Sequence, residues 1–303
     1  MWTFKDIFTN YSIFLGRRFY LKEKLKFLLH LKKDFEEMKF QVKTTQSKQE
    51  FLGEKVLYHN LYAGNFQKAK VVLATYYDTP AYELGNKDYQ PFNGGESKFS
   101  AFYKLIFPIS ILLLAIVVFY YLFYPQIIQT GVWSFKGIIG LIFLFFAFLL
   151  IKHYRNGMPM RKNYIRNTSS ILSMILYAKK VGKNSDIAFA FLDGGTTTHH
   201  GRTMLREILS NKKVKVIYLD SIGSKGDVHI FTDNTSNLNL AEVYEHQKDK
   251  SLSEFGDILF TSGEYKENRV VVHTKEFEED IEHVEGKLNH LVDVLEQIIS
   301  KLK

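Results

Sequence analysis

Four apolar segments of this chain each end in polar residues that could bind a metal ion or transfer a proton. The four ends are Tyr76-Tyr77-Asp78, Asp193-Gly194-Gly195, Asp220-Ser221 and His273-Thr274. Carboxylates and imidazoles are common zinc ligands and common general acids and bases. Since the carboxyl ends of parallel strands meet at one edge of a sheet, we expect these ends to converge.

The segments that carry these ends alternate with helical patterns. Apolar runs predict strands at 70–78, 186–193, 214–220, 228–232 and 269–272, and apolar spacing predicts helices at 21–38, 169–181, 203–209 and 281–302. Strands that alternate with helices form a sheet covered on both faces. We therefore predict an α/β fold with a mixed, mostly parallel sheet flanked by helices.

The segment IRNTSSIL lies between the first and the second of these strand ends. Taken in chain order, these five segments resemble the signatures of metallopeptidase family twenty-eight, the zinc aminopeptidases that use two metal ions. Asp220 stands in LDSIG, which is similar to the family's Leu-Asp-Met-x-Gly, and His273 begins an intact His-Thr. Asp78 matches the Asp of His-x-Asp, and Asn167 and Ser169 match two residues of Asp-Asn-x-Ser-Gly. The resemblance covers about residues 21–100 and 160–303 and implies a zinc-aminopeptidase-like sheet.

The same motifs lack most of the residues that the family uses for catalysis. The first zinc-binding His is replaced by Tyr76, the bridging Asp by Arg166, the general base by Gly195 and a Glu ligand by Thr196. Only Asp220 and His273 remain, and in the family they bind different ions. One protein ligand per ion cannot hold a tetrahedral zinc. We therefore expect no catalytic residue, no metal and no cofactor; the alternative is zinc held by Asp220 and His273.

The residual cleft implied by the resemblance consists of Tyr76, Asp78, Arg166, Asn167, Asp193, Thr196, Asp220 and His273. One hypothesis is that Arg166 binds Asp78 and Asp220 with its guanidinium fork and replaces zinc as the centre of charge. The alternative is that Arg166 points to solvent or to a lipid phosphate.

Three further residues have two interpretations each. Asp193 could be a displaced metal ligand or could cap a turn. His199 and His200 could bind a metal together with His273, although adjacent side chains usually diverge.

Two apolar runs in the middle of the chain are long enough to cross a membrane. Residues 105–124 contain no charge, and residues 131–151 contain only Lys136. Twenty helical residues extend about 30 Å, the thickness of a bilayer core. We predict a transmembrane hairpin within residues 101–155. The turn between the spans is uncharged and basic residues flank the pair, so both termini and the α/β domain are predicted to be cytoplasmic.

The hairpin divides the α/β domain into residues 21–100 and 156–303. Residues 1–20 form a predicted amphipathic helix, which could lie on lipid or pack on the domain. The helix that follows is predicted to have Leu21, Leu25, Leu28 and Phe35 on one side.

Composition narrows the possible partners. The formal charge is +8 without a nucleic-acid motif, which fits contact with a lipid bilayer and predicts no nucleic acid partner. The chain has no Cys, which excludes disulfides and thiolate metal sites. The start MWTFKDIF lacks the pattern of a cleavable signal, and the Lys-, Ile- and Phe-rich composition suggests a bacterial source.

Three functions follow from these observations. The first is an inactive, membrane-anchored peptidase-like module that binds a peptide or a membrane-protein partner. The second is a membrane-bound aminopeptidase or amide hydrolase with a rebuilt metal site. The third is a scaffold subunit of a membrane transport or immunity complex.

Overall fold

The computed structural model describes residues 3–51, 54–81, 88–92, 98–154, 157–160, 163–183, 186–210, 213–233, 240, 242–273 and 281–302. Thr274, the second residue of the predicted His-Thr pair, lies outside these ranges. The chain forms two compact units. One comprises Met1–Pro80, Gly85–Gly94 and Met160–Lys303, and the other comprises Ala81–Leu84 and Gly95–Pro159.

The first unit contains all the strands in the described ranges. They are β1 (Val42–Phe51), β2 (Glu54–Ala63), β3 (Val71–Tyr76), β4 (Asp88–Tyr89), β5 (Ile187–Leu192), β6 (Lys215–Leu219), β7 (Asp227–Thr232), β8 (Val243–Gln247), β9 (Ile258–Lys266) and β10 (Arg269–His273). Its helices are α1 (Phe4–Phe8), which continues into a π-helical turn (Thr9–Phe14), then α2 (Leu21–Glu37), α6 (Thr168–Val181), α7 (His200–Leu209) and α8 (Ile281–Leu302). The second unit contains α3 (Lys98–Leu122), α4 (Tyr124–Thr130) and α5 (Phe135–Tyr154).

The strands form one mixed sheet in the order β1-β2-β5-β3-β6-β9, with β7 and then β8 beyond β9 and with β10 and β4 extending from the β9 hairpin. The central strands β5, β3, β6 and β9 are parallel to one another. The prediction of a mixed α/β sheet is confirmed. The antiparallel pairs β1–β2 and β9–β10 were not predicted, and their short connections allow only antiparallel pairing.

Each face of the sheet has its own core. One face packs against the N-terminal segment, α2, α6 and α8, through apolar side chains such as Phe27, Phe35 and Leu288. The other face packs against α7 and the segment around Phe255. A sheet covered on both faces places its strand ends, rather than its faces, in reach of a ligand.

The N-terminal segment and α2 differ from expectation in which residues they bury. Phe4, Phe8, Tyr11 and Leu15 are all buried in the domain core, so the segment packs on the domain. On α2, Leu28 and Phe35 are buried as predicted, but Leu21 and Leu25 are 42% and 44% exposed. The buried face of α2 is centred on Phe27 and Leu31, which turns Leu21 and Leu25 toward the solvent-facing side.

In the second unit, one helix in the described residues is by itself long and apolar enough to cross a membrane. This helix is α5, Phe135–Tyr154. The predicted first span is instead a broken pair, because the apolar part of α3 and the following α4 meet at an angle of 42°. The break falls at Phe123, just before Pro125, whose ring cannot be accommodated against the preceding helical turn. Gly140 of α5 lies against Phe119 of α3 and against Phe123 at the break, where an added Cβ would lie 3.0 Å from Phe123 Cβ.

Candidate functional site

The carboxyl ends of the parallel strands bring together most of the residues named from the sequence. β3 lies between β5 and β6, so Asp78, Asp193 and Asp220 follow three neighbouring strand ends. All three carboxylates are buried, with exposed fractions of 2%, 0% and 2%. A buried carboxylate must be hydrogen-bonded or paired with a cation, and each of the three has its own set of partners.

Asp220 is bound by three hydroxyl groups. The Tyr89 hydroxyl donates to Oδ2 at 2.6 Å, while the Tyr76 and Ser221 hydroxyls donate to Oδ1 at 3.1 and 2.9 Å. The two tyrosine hydroxyls also lie 3.2 Å from each other. Burial raises the pKa of Asp220 above its ordinary value, although these hydrogen bonds and the charge of Arg166 favour the ionised form.

Arg166 reaches this group through the tyrosines rather than through the carboxylates. Its Nε donates to the Tyr76 hydroxyl at 3.1 Å, and its guanidinium lies over the Tyr89 ring at 3.8 Å. Its backbone carbonyl accepts from the Ser221 N–H at 2.7 Å, which ties the loop before α6 to the end of β6. No ion pair in the described residues joins Arg166 to Asp78 or Asp220. The hypothesis of a bidentate fork on both carboxylates is therefore wrong, although Arg166 supplies the positive charge nearest to Asp220.

Asp78 is bound by the loop after β5, where Gly195 and Thr196 stand in place of the two glutamates that the resemblance implies. The backbone N–H groups of Gly195 and Thr196 donate to its two oxygens at 2.7 and 3.0 Å, and the Thr196 hydroxyl donates to Oδ2 as well. Backbone donors of this kind satisfy a carboxylate without any metal.

Tyr76 leaves no room for a side chain at position 195, where the resemblance implies a general base. A Cβ on Gly195 would lie 2.2 Å from Tyr76 Cβ and 2.3 Å from Tyr76 Cγ. Contacts below 3.0 Å are not seen between real Cβ atoms and their neighbours. With Tyr76 in place, a glutamate therefore cannot occupy position 195 without displacement of β3 or of the loop.

Asp193 pairs with a cation from α2. Lys24 Nζ lies 2.5 Å from Asp193 Oδ1, and the backbone N–H groups of His59 and Gly194 donate to the same carboxylate. Burial opposes a charged Lys24, but the carboxylates of Asp193 and Asp78 outweigh it and raise the lysine pKa. Asp193 is thus held in an ion pair and bonded to the turn after β5, as the capping interpretation expects.

A second buried cation, Arg18, lies behind the loop. Its side chain is fully buried, and its Nε donates to the Tyr77 carbonyl at 2.5 Å. The other four donors reach the carbonyls of Tyr11 and Leu15, Asn167 Oδ1 and Thr168 Oγ1, at 2.7 to 3.1 Å. Asn167 in turn donates to the Asp78 carbonyl at 2.5 Å. Burial lowers the pKa of Arg18 to about 9, which leaves it charged at neutral pH.

The charges of the site cancel within the protein. Three buried acids, Asp78, Asp193 and Asp220, are matched by Arg18, Lys24 and Arg166. Each cation acts electrostatically on at least one of the acids.

The histidines named from the sequence do not join this group. The His273 imidazole lies 3.7 Å from Glu264, and no contact with Asp220 is found in the described residues. The His199 ring packs against Phe255, and the His200 Nε2 lies 2.9 Å from the Ser47 hydroxyl. In the described residues these histidines do not form a group that could hold a metal ion, as the divergence of adjacent side chains leads us to expect.

Sequence reasoning missed Arg18, Lys24 and Tyr89. Lys24 was detectable, because it lies four and seven residues before Leu28 and Leu31 and hence on the buried side of α2. Tyr89 carried no local signal, since it lies in a two-residue strand that pairs only with β10.

The donor set does not fit the zinc centre that the resemblance implies. No group of three or more His, Cys, Asp or Glu side chains that could hold a metal is present in the part of the chain that the structure describes. Asp220, the one implied ligand at the centre of the site, has both oxygens engaged by hydroxyls, and the Arg166 guanidinium stacks on one of the two tyrosines.

Comparisons with known proteins place this geometry in a structural context. No protein-family profile matches the chain, and no curated protein matches its sequence. Among solved structures, a Zn-dependent exopeptidase from Parabacteroides distasonis is 11% identical and covers 96% of this chain and 97% of its own, with a TM-score of 0.55. A leucine aminopeptidase precursor from Bacteroides thetaiotaomicron has the same TM-score at 10% identity, over 95% of this chain and 94% of its own.

A glutaminyl cyclase from Bacteroides thetaiotaomicron, solved with N-acetylhistamine bound, has a TM-score of 0.53 at 10% identity. It covers 95% of this chain and 94% of its own. At such low identity these likenesses show the fold alone. The chain therefore has the fold shared by this exopeptidase, this leucine aminopeptidase precursor and this glutaminyl cyclase.

Proposed function

We propose that this protein is a membrane-anchored, non-catalytic module of the aminopeptidase-like fold that binds a peptide or a partner protein at the cytoplasmic side of the membrane. The observation that carries the proposal is that Tyr76 fills the space a side chain at position 195 would need. We infer that the chain is a degenerate member of metallopeptidase family twenty-eight, with Tyr76 in place of its first zinc-binding histidine and Gly195 in place of its general base.

The charge balance of the site supports the same conclusion. Replacing an aspartate by Arg166 raises the local charge by two units, and replacing two glutamates by Gly195 and Thr196 raises it by one unit each. The resulting four units equal the charge of two zinc ions. The substitutions thus supply the positive charge that two zinc ions would bring to this set of carboxylates.

Membrane anchoring is supported by α5 and by the pair α3 and α4. The last turn of α5 contains Lys152 and His153, whereas its start contains Lys136 alone and the segment before it is uncharged. By the positive-inside rule this asymmetry supports our proposal that the sheet-containing unit lies on the cytoplasmic side.

The proposed binding region is the partly exposed rim of the strand ends. Arg166, Thr196 and His273 all retain some exposure there, and Thr197 is exposed. A rim with hydrogen-bonding groups above a rigid, internally satisfied floor suits recognition of a polypeptide rather than bond cleavage.

The proposal is tested by metal analysis and turnover on the full-length protein in detergent. We expect zinc well below one ion per chain after purification in zinc-containing buffer, and no release of p-nitroaniline from leucine p-nitroanilide or cyclisation of an N-terminal glutaminyl peptide. Stoichiometric zinc together with turnover that His273→Ala abolishes would refute it.

A further inference from the structure

We propose that the exposed face of α2 binds the surface of an anionic lipid bilayer. The inference rests on the proposed membrane anchoring and identifies which surface of the sheet-containing unit contacts lipid. It concerns a different helix from the N-terminal segment, whose apolar residues are buried in the core.

The exposed face carries a stripe of leucines. Leu21, Leu25 and Leu29 are spaced four residues apart and are 42%, 44% and 67% exposed. Residues at this spacing lie above one another on a helix. The core-facing side of α2 consists of other residues, Phe27 and Leu31 among them. The leucine stripe therefore lies outside the buried core of the domain.

Lysines border this stripe. Lys22 and Lys26 each follow a stripe leucine by one residue, which places them about 100° around the helix from it. Both are exposed, and neither forms an ion pair in the described part of the chain. Lys33 continues the same border and is paired with Glu37 at 3.8 Å.

Acidic residues are scarce along the same stretch. Between Leu21 and Lys33 the sequence contains a single carboxylate, Glu23, which is bound by Arg17 at 2.5 Å. The face is therefore apolar and basic at once. Surface helices with leucines on one side and lysines beside them insert at the boundary of headgroups and acyl chains, and anionic lipids strengthen their binding.

Attachment to a membrane helix allows even a weak lipid-binding surface to contact the bilayer. A helix that is long enough to cross a membrane keeps the covalently linked unit near the bilayer, so that contact with lipid becomes an intramolecular event. A surface too weak to recruit a free protein can then still hold an anchored one in a fixed orientation. This charge pattern favours lipid over a second copy of the chain, whose own basic face would repel it.

The natural absence of cysteine allows a direct test. Single cysteines replace Leu25 or Leu29 in the full-length protein and are labelled with an environment-sensitive fluorophore. The protein is then placed in nanodiscs of phosphatidylcholine, with or without phosphatidylglycerol. Nitroxides on the lipid acyl chains report whether the label is buried in lipid. A label at Glu207, an exposed residue of α7, is the control position.

We expect nitroxide quenching of the Leu25 and Leu29 labels in anionic nanodiscs and little at Glu207. Lys22→Glu/Lys26→Glu should reduce the quenching several-fold, whereas reversal of the exposed Lys225 and Lys250 should leave it unchanged. Unquenched labels in a protein that is firmly inserted would overturn the inference while leaving the anchoring intact. If the labels at positions 25 and 29 report an apolar environment only when a nanodisc holds two copies of the protein, the face binds a second copy, and the inference would also be overturned. Failure of the protein to insert at all would instead contradict the anchoring.

Discussion

At the scale of single residues, the structure links two positions sterically, Tyr76 and Gly195, where the family resemblance implies a zinc ligand and a general base. Tyr76 occupies space that a side chain at position 195 would need, and it also donates to Asp220. With Tyr76 in place, any side chain at position 195 would clash, whereas loss of the Tyr76 hydroxyl would leave Asp220 with the Tyr89 and Ser221 hydroxyls. The structure thus explains why Tyr76 requires a glycine at position 195.

Gly195→Ala should destabilise the protein by about 1–3 kcal/mol or more, the usual range for overpacking a well-packed site. The added methyl would meet the Cβ and Cγ of Tyr76, which are fixed by β3. Gly286→Ala is the matched control, because nothing lies within 4 Å of its new Cβ on α8 and alanine favours a helix. Thermal unfolding in detergent compares the two, and equal stability of both variants would contradict the steric link.

Asp220 gives a prediction for pH. Because burial raises its pKa, the folded state binds the proton more tightly than the unfolded state does. The contribution of Asp220 to the free energy of unfolding should therefore fall as pH rises from about 4 through the raised pKa. Asp220→Asn removes this slope, so the stability of the native protein relative to the variant should decline with rising pH. The exposed Asp249, whose pKa is lowered chiefly by a hydrogen bond from Ser251, should show a weak slope of opposite sign when compared with Asp249→Asn. A flat difference for Asp220 would mean that its carboxyl titrates as in the unfolded chain.

At the scale of elements, the sequence predicted the parts whose burial follows a simple period. The strands β3, β5 and β6 are continuous apolar runs, and their ends converge as expected for parallel neighbours. The long hairpin β1–β2 was not predicted, because VKTTQSKQEF is polar and only its pairing with β2 identifies it as a strand. On α2 the sequence grouped Leu21 and Leu25 with Leu28 and Phe35 on one side, but only the last two are buried, since a helix with apolar residues on two sides does not reveal which side is buried.

The N-terminal segment and the loop before α6 are joined by Arg18, and this link should be essential. Arg18→Met would remove the guanidinium donors from five buried acceptors, of which Asn167 Oδ1 would keep its bond from Asn163. We expect a loss of about 3–5 kcal/mol, as for removal of one partner of a buried charged group. Arg18→Lys should also destabilise, because one ammonium cannot replace the planar fork of donors. Arg17→Met is the control; this exposed residue pairs with Glu23, and its loss should change stability by less than about 1 kcal/mol. Chemical denaturation measures the free energy of unfolding of each variant. Equal values for Arg17→Met and Arg18→Met would show that the buried hydrogen bonds of Arg18 contribute little to stability.

At the scale of the whole molecule, the site's neutrality determines how the fold responds to metal. Three carboxylates at the strand ends already face three cations donated by the N-terminal segment, α2 and the loop before α6. Of the three cations that supply this balance, Arg18 and Lys24 lie far from Arg166 in the sequence. Such long-range compensation could not be read from local patterns, which is why the sequence suggested an arginine that binds carboxylates directly.

A final prediction follows from this neutrality. A ligand that binds the folded state at a concentration of 100 times its Kd stabilises that state by about 2.7 kcal/mol. If the strand ends bound zinc, saturating zinc would raise the melting temperature of the detergent-solubilised protein and a chelator would lower it. We expect neither change, because a cation entering beside Arg166 would have to displace the Tyr76 and Tyr89 hydroxyls from Asp220.

Arg166→Asp is the informative variant. It reverses the local charge, so the variant should be less stable than the native protein in the absence of metal. A zinc-dependent melting temperature in the native protein, unchanged by His273→Ala and Asp220→Asn, would indicate a metal site elsewhere in the chain. If His273→Ala or Asp220→Asn instead abolishes a zinc-dependent melting temperature, zinc binds at the strand ends and the proposed metal-free centre is refuted.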